Sequence, residues 1–430
     1  MKSLLKKIVV FMLTLEARAV LKKYKPKLIA ITGSVGKTST KDAVYDVLKT
    51  SFFVRKSEKS YNSEIGIPLT ILGITNAWGN PFLWVKNLLS GLALIVLPSH
   101  YPQWLVVEVG LDKPGDVKRA TRLFSPDILI YTRFADVPVH VENFSSPEAL
   151  FAEKALLIDV LKQEGLLVLN QDDERILALK QRSRSMVVTF GFDEKAMVRA
   201  SHDEIEYDKE GNPLGAIFKI NFDGSAVPIR LSNVLGKQYM YAALAAVAVG
   251  AYLKVNMITM VEALALFKTP PGRTKLLPAI KGAFIIDDTY NSSPVAAEAA
   301  LQTLSQWSRD GKKIAVLGDM LELGKYAVEE HRRIGKVAGA AADMLLCVGA
   351  RAQFIAEGAL DGGMSEKNIF QFNDAREAGK FLESKLGKGD VVLIKGSQSM
   401  RMERAVEEIM LHPEDKAKLL VRQEEEWQRR

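Results

Sequence analysis

The chain has 430 residues, of which 48% are hydrophobic and 25% charged, as in a globular protein with a full core and two or three domains. Its single cysteine, Cys347, excludes disulfides and cysteine-based zinc sites and fits a reducing, cytoplasmic compartment. Residues 1–27 contain eight Lys/Arg and one acid, and so carry the whole net charge of +7. Because the other 403 residues are balanced, a nucleic-acid-binding surface spread over the fold is disfavoured.

Residues 1–27 form a basic arm, which we predict to be one helix that ends near Tyr24. Its apolar stretch, residues 8–13, is short for a secretory signal, and Glu16 follows instead of a small-residue cleavage site. A basic, amphipathic helix favours contact with an anionic surface, such as the inner face of a membrane. The alternative is that the arm packs on the fold and covers the edge of a sheet.

Residues 27–48 have the pattern strand, glycine turn and helix, which is half of a parallel α/β unit. Three more apolar runs typical of buried strands follow at residues 104–110, 128–132 and 165–170. Helical stretches lie between these runs, and this alternation predicts a doubly wound parallel sheet. We place this first α/β domain at residues 28–272.

Residues 186–231 change in pattern. Their runs alternate between apolar and polar residues, with turn signals between them, and predict an antiparallel β excursion. A helix rich in small residues is predicted at 241–253. The turn Thr-Pro-Pro-Gly-Arg at 269–273 is the predicted domain boundary.

A second, Rossmann-like α/β domain is predicted for residues 273–430. Four strand-like runs occur there, at residues 283–291, 312–319, 344–349 and 390–397. Each run ends in polar residues, and ligands of such sheets gather at the carboxyl ends of the strands. The tail after Glu403 is predicted to be a charged helix with a solvated face.

The turn Gly-Ser-Val-Gly-Lys-Thr after the first strand has the composition of a phosphate-binding loop, or P-loop. Gly33 and Gly36 let backbone N–H groups close around phosphate oxygens, and the helix N-terminus adds partial positive charge. Lys37 can reach the β- and γ-phosphates of a nucleotide, and the Thr38 hydroxyl can ligate Mg²⁺. The full Walker pattern has glycine where Ile31 stands, so a chance turn is the alternative.

Three further polar residues each admit two interpretations. Glu108 ends a buried strand and is either a solvent-facing acid or a Mg²⁺ ligand, since hard cations prefer carboxylate oxygens. His140 is either structural or functional. Lys154 lies among apolar residues on a helix, and composition does not distinguish a lysine at a helix edge from a functional one.

Eight motifs in compatible order resemble the Mur ligases. They are ITGSVGKTST, KSYNSEIGIPLTIL, VVEVGLDKPGDV, HVENFSSPEALFAEKALLI, PPGR, IIDDTYNSSP, VLGDMLELG and LIKGSQSMRME. The resemblance extends from about Leu28 to the tail. The P-loop of this family lacks the Walker glycine whose position is occupied here by Ile31. The resemblance implies α/β architecture, with a central P-loop ATPase domain and a C-terminal Rossmann-like domain.

The activity that the resemblance implies is ATP-dependent formation of an amide bond. ATP phosphorylates a carboxylate, and an amine then attacks the acyl phosphate. The expected reaction adds D-alanyl-D-alanine to a muramoyl-peptide, a step of peptidoglycan precursor synthesis in the cytoplasm. The implied cofactors are ATP and two Mg²⁺ ions.

The resemblance also implies roles for individual residues. The P-loop residues expected to hold ATP are Gly33, Ser34, Gly36, Lys37, Thr38 and Ser39. The two Mg²⁺ ions are expected on Thr38, Glu108, His140 and Lys154, with Lys154 carbamylated by CO₂. Catalytic roles are expected for Lys37, His140, Lys154 and Arg273.

Further residues are expected to contact nucleotide or substrate. The second domain is expected to meet the nucleotide through Arg273, Asp288, Tyr290 and Asn291. Asn62 is expected at the substrate. The side that receives the incoming amine is expected to be lined by Asp319, Glu322, His331, Lys395 and Ser397.

Departures from the family leave alternatives open. Only residues 1–27 precede the P-loop, where the family has a domain that grips the UDP sugar. A ligase that joins another amine to another carboxylate, for instance a lipid-linked one, therefore remains an alternative, as does a non-catalytic nucleotide-binding partner protein. The helix motif G-x-H-N-x-x-N of the family reads Gly-Lys-Gln-Tyr-Met-Tyr-Ala at 236–242, so the adenine contacts must differ. Gln398 stands where the family often has Arg.

Residues 76–104 are an insertion between family motifs. It has one charge, on Lys86, and three of the five tryptophans. Its apolar core is too short to span a bilayer. The alternatives are a helical hairpin that covers the sheet and, together with the basic arm, a peripheral surface for a membrane or a partner.

Overall fold

The computed structural model describes residues 3–57, 65–77, 80–110, 113–308, 310–424 and 427, with side chains from residue 7 onward. The strands are β1 (Lys27–Thr32), β2 (Val54–Lys56), β3 (Trp104–Glu108), β4 (Ile128–Tyr131), β5 (Leu166–Asn170), β6 (Met186–Gly191), β7 (Val198–Tyr207), β8 (Pro213–Phe222), β9 (Ser225–Ser232), β10 (Lys275–Pro278), β11 (Phe284–Asp288), β12 (Lys313–Gly318), β13 (Met344–Val348), β14 (Ile369–Phe372) and β15 (Val391–Lys395). The helices are α1 (Ser3–Tyr24), α2 (Lys37–Leu48), α3 (Gly66–Leu72), α4 (Pro81–Val96), α5 (Asp116–Thr121), α6 (Pro147–Ala155), α7 (Glu174–Ala178), α8 (Lys237–Tyr252), α9 (Met257–Ala265), α10 (Pro294–Ser305), α11 (Ala327–Ala341), α12 (Gln353–Asp361), α13 (Ala375–Lys385), α14 (Glu403–Ile409) and α15 (Lys416–Leu419).

The first sheet has the strand order β2-β3-β1-β4-β5-β6-β7-β8-β9, and β2 to β7 run parallel. In β1, Ile31 lies opposite Glu108 of β3 on one side and Ile130 of β4 on the other. The carboxyl ends of the three central strands, at Thr32, Glu108 and Tyr131, therefore meet at one edge of the sheet. The predicted parallel sheet is confirmed.

The antiparallel part of this sheet begins later than the sequence indicated. β6 was assigned to the antiparallel excursion, but it pairs in parallel with β5, so that assignment is wrong. The antiparallel part consists of β7, β8 and β9. Most of β7 is polar and half-buried or exposed, so it lacks the apolar alternation by which a strand is recognised.

The second sheet has the order β10-β11-β15-β12-β13-β14, and β10 is its antiparallel edge strand. The four predicted strands correspond to β11, β12, β13 and β15, and the short edge strands β10 and β14 were not predicted. In the centre of the sheet Asp288 of β11 lies opposite Lys395 of β15. Asp319 follows β12, so this edge also gathers polar residues at strand ends.

Helices cover both faces of each sheet. On the first sheet, α2, α8 and α9 form one buried layer, and α1, α3 and α4 pack on the opposite face. The segment Ala242–Val249 of α8 is fully buried, because its small side chains let the helix backbone approach α2 closely. On the second sheet, α10, α11 and α12 pack on one face, and α13 and α14 on the other.

The basic arm and the insertion pack against each other. The arm is the helix α1, as predicted, and the insertion contributes the single helix α4 rather than a hairpin. Lys23 Nζ donates to three carbonyl oxygens at the end of α4, at 2.6–3.0 Å. The helices touch at Gly91, where a Cβ atom would lie 2.1 Å from Oε2 of Glu16. Within the described residues, no helix is both long and apolar enough to cross a membrane.

The tail is not the solvated helix that the sequence predicted. α14 buries Ala405, Val406 and Ile409 against β11 and β15, and the chain then turns back. Leu420 and Arg422 are buried as well. The charged residues of the tail hid this apolar face, because the helix is too short to show a clear period.

Candidate active site

The P-loop follows β1 and holds two glycines at positive φ, Gly33 at 143° and Gly36 at 87°. At Gly33 a Cβ atom would lie 2.1 Å from Oγ1 of Thr132, so the loop passes the end of β4 where no side chain fits. The backbone N–H of Ser34 donates to the carbonyl of Arg133 at 2.7 Å, which fixes the loop to the sheet. The first N–H groups of α2 consequently face the space above the strand ends, where an anion is stabilised.

Of the P-loop side chains, Lys37 contacts the loop backbone and Thr38 contacts a buried carboxylate. Nζ of Lys37 donates to the carbonyl of Gly33 at 2.8 Å, and Oγ1 of Thr38 donates to Oε2 of Glu108 at 3.2 Å. Glu108 is fully buried, and its Oε1 receives no hydrogen bond from the described residues, although Nζ of Lys41 lies 3.3 Å away. A buried carboxylate is stabilised by a nearby cation, and Lys41 already supplies one beside Oε1.

Thr38 and Glu108 are too few to hold a metal ion alone, but they fit a Mg²⁺ ion that nucleotide phosphates also coordinate. Within the described residues, no group of three or more His, Cys, Asp or Glu could hold a metal ion. Mg²⁺ is usually bound through one or two carboxylates together with substrate phosphates and water. Thr38 and Glu108 therefore fit an ion that is bound jointly with a nucleotide.

Lys154 lies beneath the P-loop, at the end of α6. It is only 5% exposed, and its Nζ donates to the carbonyl of Gly33 at 3.1 Å. The same atom lies 5.3 Å from the centre of the Phe134 ring. The alternative of a solvated lysine at a helix edge is thus wrong, because the side chain points into the domain.

His140 joins the first domain to the second. It adopts φ of 68° in the loop that precedes α6, and its Nδ1 lies 2.9 Å from Oε2 of Glu322, in the loop after β12. The hydrogen bond from His140 lowers the pKa of Glu322. Both side chains are partly exposed, so they face the space between the domains.

The second domain contributes an ion pair and a stacked cation. Nζ of Lys395 lies 2.6 Å from Oδ2 of Asp288 and also donates to the carbonyl of Asn291 at 2.8 Å. The guanidinium of Arg273 lies 4.0 Å from the centre of the Tyr290 ring. These strand-end residues thus hold one another in place at the edge that faces the P-loop.

Most of the predicted nucleotide and metal ligands line one cavity between the two domains, of about 380 Å³, which we call the central cavity. Its lining includes Ser34, Gly36, Lys37, Thr38, Ser39, Glu108, His140, Arg273, Asp288, Tyr290, Asn291, Glu322 and Lys395. Gly33 and Lys154 lie behind this lining rather than in it.

A second cavity of about 160 Å³ opens beside the P-loop, and we call it the aromatic cavity. It shares Val35, Gly36, Gln238 and Ala299 with the central cavity, and its other lining residues include Phe190 and Tyr241. Gln238 of this lining stands where the family motif has His, and Tyr239 and Ala242 stand where the motif has Asn. A cavity bordered by two aromatic rings and an amide fits a planar base.

A third cavity of about 370 Å³ continues the central cavity on the side of the second domain, and we call it the outer cavity. The two share Asn291, Glu322 and Gln398. The other lining residues are Leu321, Ser397, Ser399, Arg401 and Trp427. Of the residues predicted on the amine side, Glu322 and Ser397 thus line this cavity, and Lys395 lines the central cavity.

Asp319 and His331 have a different place. Asp319 is buried and its Oδ1 accepts the backbone N–H groups of Arg351 and Ala352, at 3.0 and 2.8 Å. Nε2 of His331, which is fully buried, accepts the N–H of Met320 at 2.9 Å. Both side chains hold the loops behind the outer cavity and are not in its lining.

Some residues near the site have no sequence signal. Arg422 of the tail is buried and donates to the carbonyl oxygens of Thr289 and Tyr290, in the loop that carries the stacked pair. Lys41 is buried beside Glu108. Only contacts between distant parts of the chain reveal these residues. Asn62, predicted at the substrate, lies outside the described residues.

Comparison with known proteins identifies the class. The chain matches the Mur ligase middle domain over residues 31–83 and 88–250, and the Mur ligase, glutamate ligase domain over residues 272–398. The chain belongs to the Mur ligase family, and it has the fold and P-loop of an ATP-dependent ligase.

Several individual relatives are similar to this chain over most of its length. The UDP-N-acetylmuramoyl-tripeptide–D-alanyl-D-alanine ligase of Bacillus subtilis is 28% identical over 92% of this chain and 79% of its own length. The same enzyme of Mycobacterium leprae is 28% identical over 87% of this chain and 71% of its length. The MurF ligase of Thermotoga maritima in complex with ADP has a TM-score of 0.75 and 27% identity, over 93% of this chain and 83% of that one. MurF from Acinetobacter baumannii shares the fold, with a TM-score of 0.75 and 23% identity over 92% and 79% of the two chains.

Proposed function

We propose that the protein uses ATP to join D-alanyl-D-alanine to the tripeptide of UDP-N-acetylmuramoyl-tripeptide. The observation that carries this proposal is the row of three adjoining cavities. The aromatic cavity suits the base, the central cavity suits the phosphates and the carboxylate that receives one, and the outer cavity suits the amine. This order matches the order in which the reacting groups must meet.

Each side chain in the central cavity has a chemical task in this proposal. Lys37 and the N–H groups of the P-loop bind the ATP phosphates, and Arg273 faces the negative charge that develops while the phosphoryl group moves. The acyl phosphate is then attacked by the amine, and phosphate leaves. Closure of the domains 28–272 and 273–430 around the cavity excludes water, which would hydrolyse that intermediate. Limited proteolysis at the 269–273 turn, with and without ADP, tests whether these two units move.

Two Mg²⁺ ions belong to the proposal. Thr38 and Glu108 would hold one ion, and His140 with a carbamylated Lys154 would hold the other. Bound ions neutralise phosphate charge. The burial of Lys154 against the P-loop supports a role at the metal site, and His140 would have to exchange its contact with Glu322. If Lys154 is carbamylated, Lys154→Ala should lose ligation, and a short carboxylic acid should partly restore it. Full activity of Lys154→Ala would refute the carbamylation.

The activity is tested by phosphate release in the presence of ATP, Mg²⁺, UDP-N-acetylmuramoyl-tripeptide and D-alanyl-D-alanine. We expect release only when both the tripeptide and the dipeptide are present. Release with a lipid-linked peptide or another amine instead would identify a different Mur-type ligase. Nucleotide binding without any release would favour a non-catalytic partner protein.

We further infer that the protein contacts the inner face of a membrane through the paired helices α1 and α4. Among the described residues, 21 large hydrophobic side chains are exposed, and eleven of them lie on this pair and the residue after it. They are Ile8, Phe11, Met12, Leu15, Phe82, Leu83, Val85, Leu89, Leu92, Val96 and Leu97. A contiguous apolar face of this kind marks an interaction surface.

Charge indicates an anionic bilayer as the occupant of this face. Lys7, Arg18, Lys22 and Lys86 are exposed on the same two helices, and acidic residues are nearly absent there. Each basic residue close to an anionic leaflet contributes about 1 kcal/mol. Phe82, at 84% exposure, is the most accessible of the apolar side chains.

Vesicle co-sedimentation tests this contact without removing a helix. The protein should bind phosphatidylglycerol vesicles more tightly than phosphatidylcholine vesicles, and salt should weaken the binding. Phe82→Ser should reduce binding, whereas Leu266→Ser, an equally exposed apolar residue elsewhere, should not. Absence of binding at low salt would contradict the proposal, and concentration-dependent dimers would show that a second copy covers the face.

A further inference from the structure

The outer cavity has opposite charges at its two ends. Of the eight described residues that line it, only Glu322 and Arg401 ionise. Glu322 lies on the side shared with the central cavity, beside His140. Arg401 and Trp427 line the outer cavity but not the central cavity, so they mark its other side.

The guanidinium of Arg401 is held in a fixed position. Its Nε donates to Oε1 of Glu403 at 2.6 Å and its Nη1 donates to the carbonyl of Trp427 at 2.7 Å. Its Nη2 has no acceptor among the described residues. Arg401 lines the outer cavity and is only 12% exposed, and a donor without an acceptor among the described residues suits it to bind a polar ligand there.

The charge around Arg401 is incompletely neutralised. Glu403 also pairs with Arg422, at 2.9 Å, so one carboxylate serves two guanidinium groups. Arg422 is almost completely buried and directs its other donors at two backbone carbonyls. Among the described residues, the two arginines and the one glutamate of this cluster therefore carry a net positive charge, and a bound anion would stabilise them.

From this geometry we propose that Arg401 binds the carboxylate of the incoming amine substrate. The outer cavity then takes a zwitterion, with the ammonium beside Glu322, close to the phosphates, and the carboxylate at Arg401 and Trp427. No bond changes at this end, because the carboxylate is only recognised. The assignment rests on the proposed function, and it makes Arg401 a specificity residue for the amine.

Two dipeptides that differ in one group test the assignment. Phosphate release is measured with D-alanyl-D-alanine and with its C-terminal amide, at saturating ATP and UDP-N-acetylmuramoyl-tripeptide. A charge-assisted hydrogen bond corresponds to about a ten- to hundredfold difference in KM. We expect the wild-type protein to prefer the free acid by this factor, and Arg401→Gln to lose the preference by raising only the KM of the acid. Arg401→Lys should restore part of it.

The matched control is Arg404→Gln, which removes a half-buried cation from the adjacent helix α14, three residues along the chain, and should leave both KM values unchanged. Equal use of acid and amide by the wild-type protein overturns the assignment. An equal rise of both KM values in Arg401→Gln also overturns it, because Arg401 then only supports the fold. If the wild-type protein releases no phosphate with any substrate, the proposed function fails. The subsite is then judged by calorimetric titration of the same two dipeptides in the presence of ADP, and equal or absent binding overturns it.

Discussion

Nδ1 of His140 lies 2.9 Å from Oε2 of Glu322, and this contact connects the two domains across the central cavity. A second contact reinforces it, because Gly324 packs against Glu142 so closely that a Cβ atom would lie 3.2 Å from Cβ of Glu142. The structure thus has its domains close together at the point where phosphates and amine would meet. Residues on both sides of this gap can therefore be tested as one site.

Lys37→Ala should remove phosphoryl transfer and leave the fold intact. Its Nζ donates to the carbonyl oxygens of Gly33 and Ser34 in the P-loop, and loops of this kind are surface turns. Loss of a group that stabilises transition-state charge typically lowers kcat by about 10²–10³-fold. The rate of ATP-dependent phosphate release measures phosphoryl transfer, and the unfolding temperature measures whether the fold is intact. Lys49→Ala, at the other end of α2, is the control, and a Lys37 variant with normal turnover would refute the role.

Arg273→Ala should lower turnover more than ATP affinity. Arg273 is stacked on Tyr290 at the edge of the central cavity, where charge in transit would pass. An interaction made only in the transition state affects kcat, whereas one made also in the ground state affects binding. Steady-state kinetics with varied ATP, together with ADP titration, separates the two. Unchanged kcat with weaker ADP binding would assign Arg273 to binding alone.

His331→Ala should destabilise the protein without changing the KM of the amine. Both ring nitrogens are bonded inside the second domain, and an unsatisfied buried partner costs about 1–3 kcal/mol. Burial lowers the pKa of His331, so its stabilisation is present above pH 6.5 and lost as pH falls through the lowered pKa. Urea unfolding at pH 7.5 and at pH 5 should therefore show a smaller penalty at the lower pH. An increase in amine KM alone would instead place His331 at the substrate.

Glu16→Gln should stabilise the protein at alkaline pH. Burial between α1 and α4 raises the pKa of Glu16 from 4.5 to about 7, so the wild-type carboxylate opposes folding once it ionises. The raised pKa means that wild-type stability is fully present below pH 4.5 and declines as pH rises towards 7. The difference in unfolding temperature between variant and wild type should grow over the same range. Glu164→Gln, an exposed acid, should show no such trend.

The sequence predicts the polar residues at strand ends, because a short apolar run followed by polar residues is typical of a buried strand that ends at the edge of a sheet. Glu108 is predicted in this way, as are the polar ends of the strands that carry Asp288 and Lys395, although the roles of these two residues come from the resemblance. The glycines of the P-loop predict the turn that lies opposite them. The roles of His140 and Lys154 came only from the resemblance. No local pattern indicates either the depth of Lys154 or the contact of His140 with the other domain.

Other features depend on contacts between distant parts of the chain. Arg401 and Arg422 are separated in sequence by a turn of the tail, and only the folded tail brings both to Glu403. β7 is not predicted, because most of its residues are polar and half-buried or exposed, and no apolar alternation marks the strand. The resemblance implies that Asp319 lies on the amine side, but its Oδ1 accepts two backbone N–H groups behind the outer cavity.

The apolar face of α1 and α4 also affects how the protein behaves in dilute buffer. A surface with Phe11, Phe82 and Val96 this exposed adsorbs to hydrophobic matrices and draws copies together as concentration rises. Mild detergent or lipid nanodiscs should therefore give sharper elution profiles and more diffracting crystals than aqueous buffer alone. Polar substitutions on this face offer a second route to well-behaved samples, and they leave the three cavities untouched.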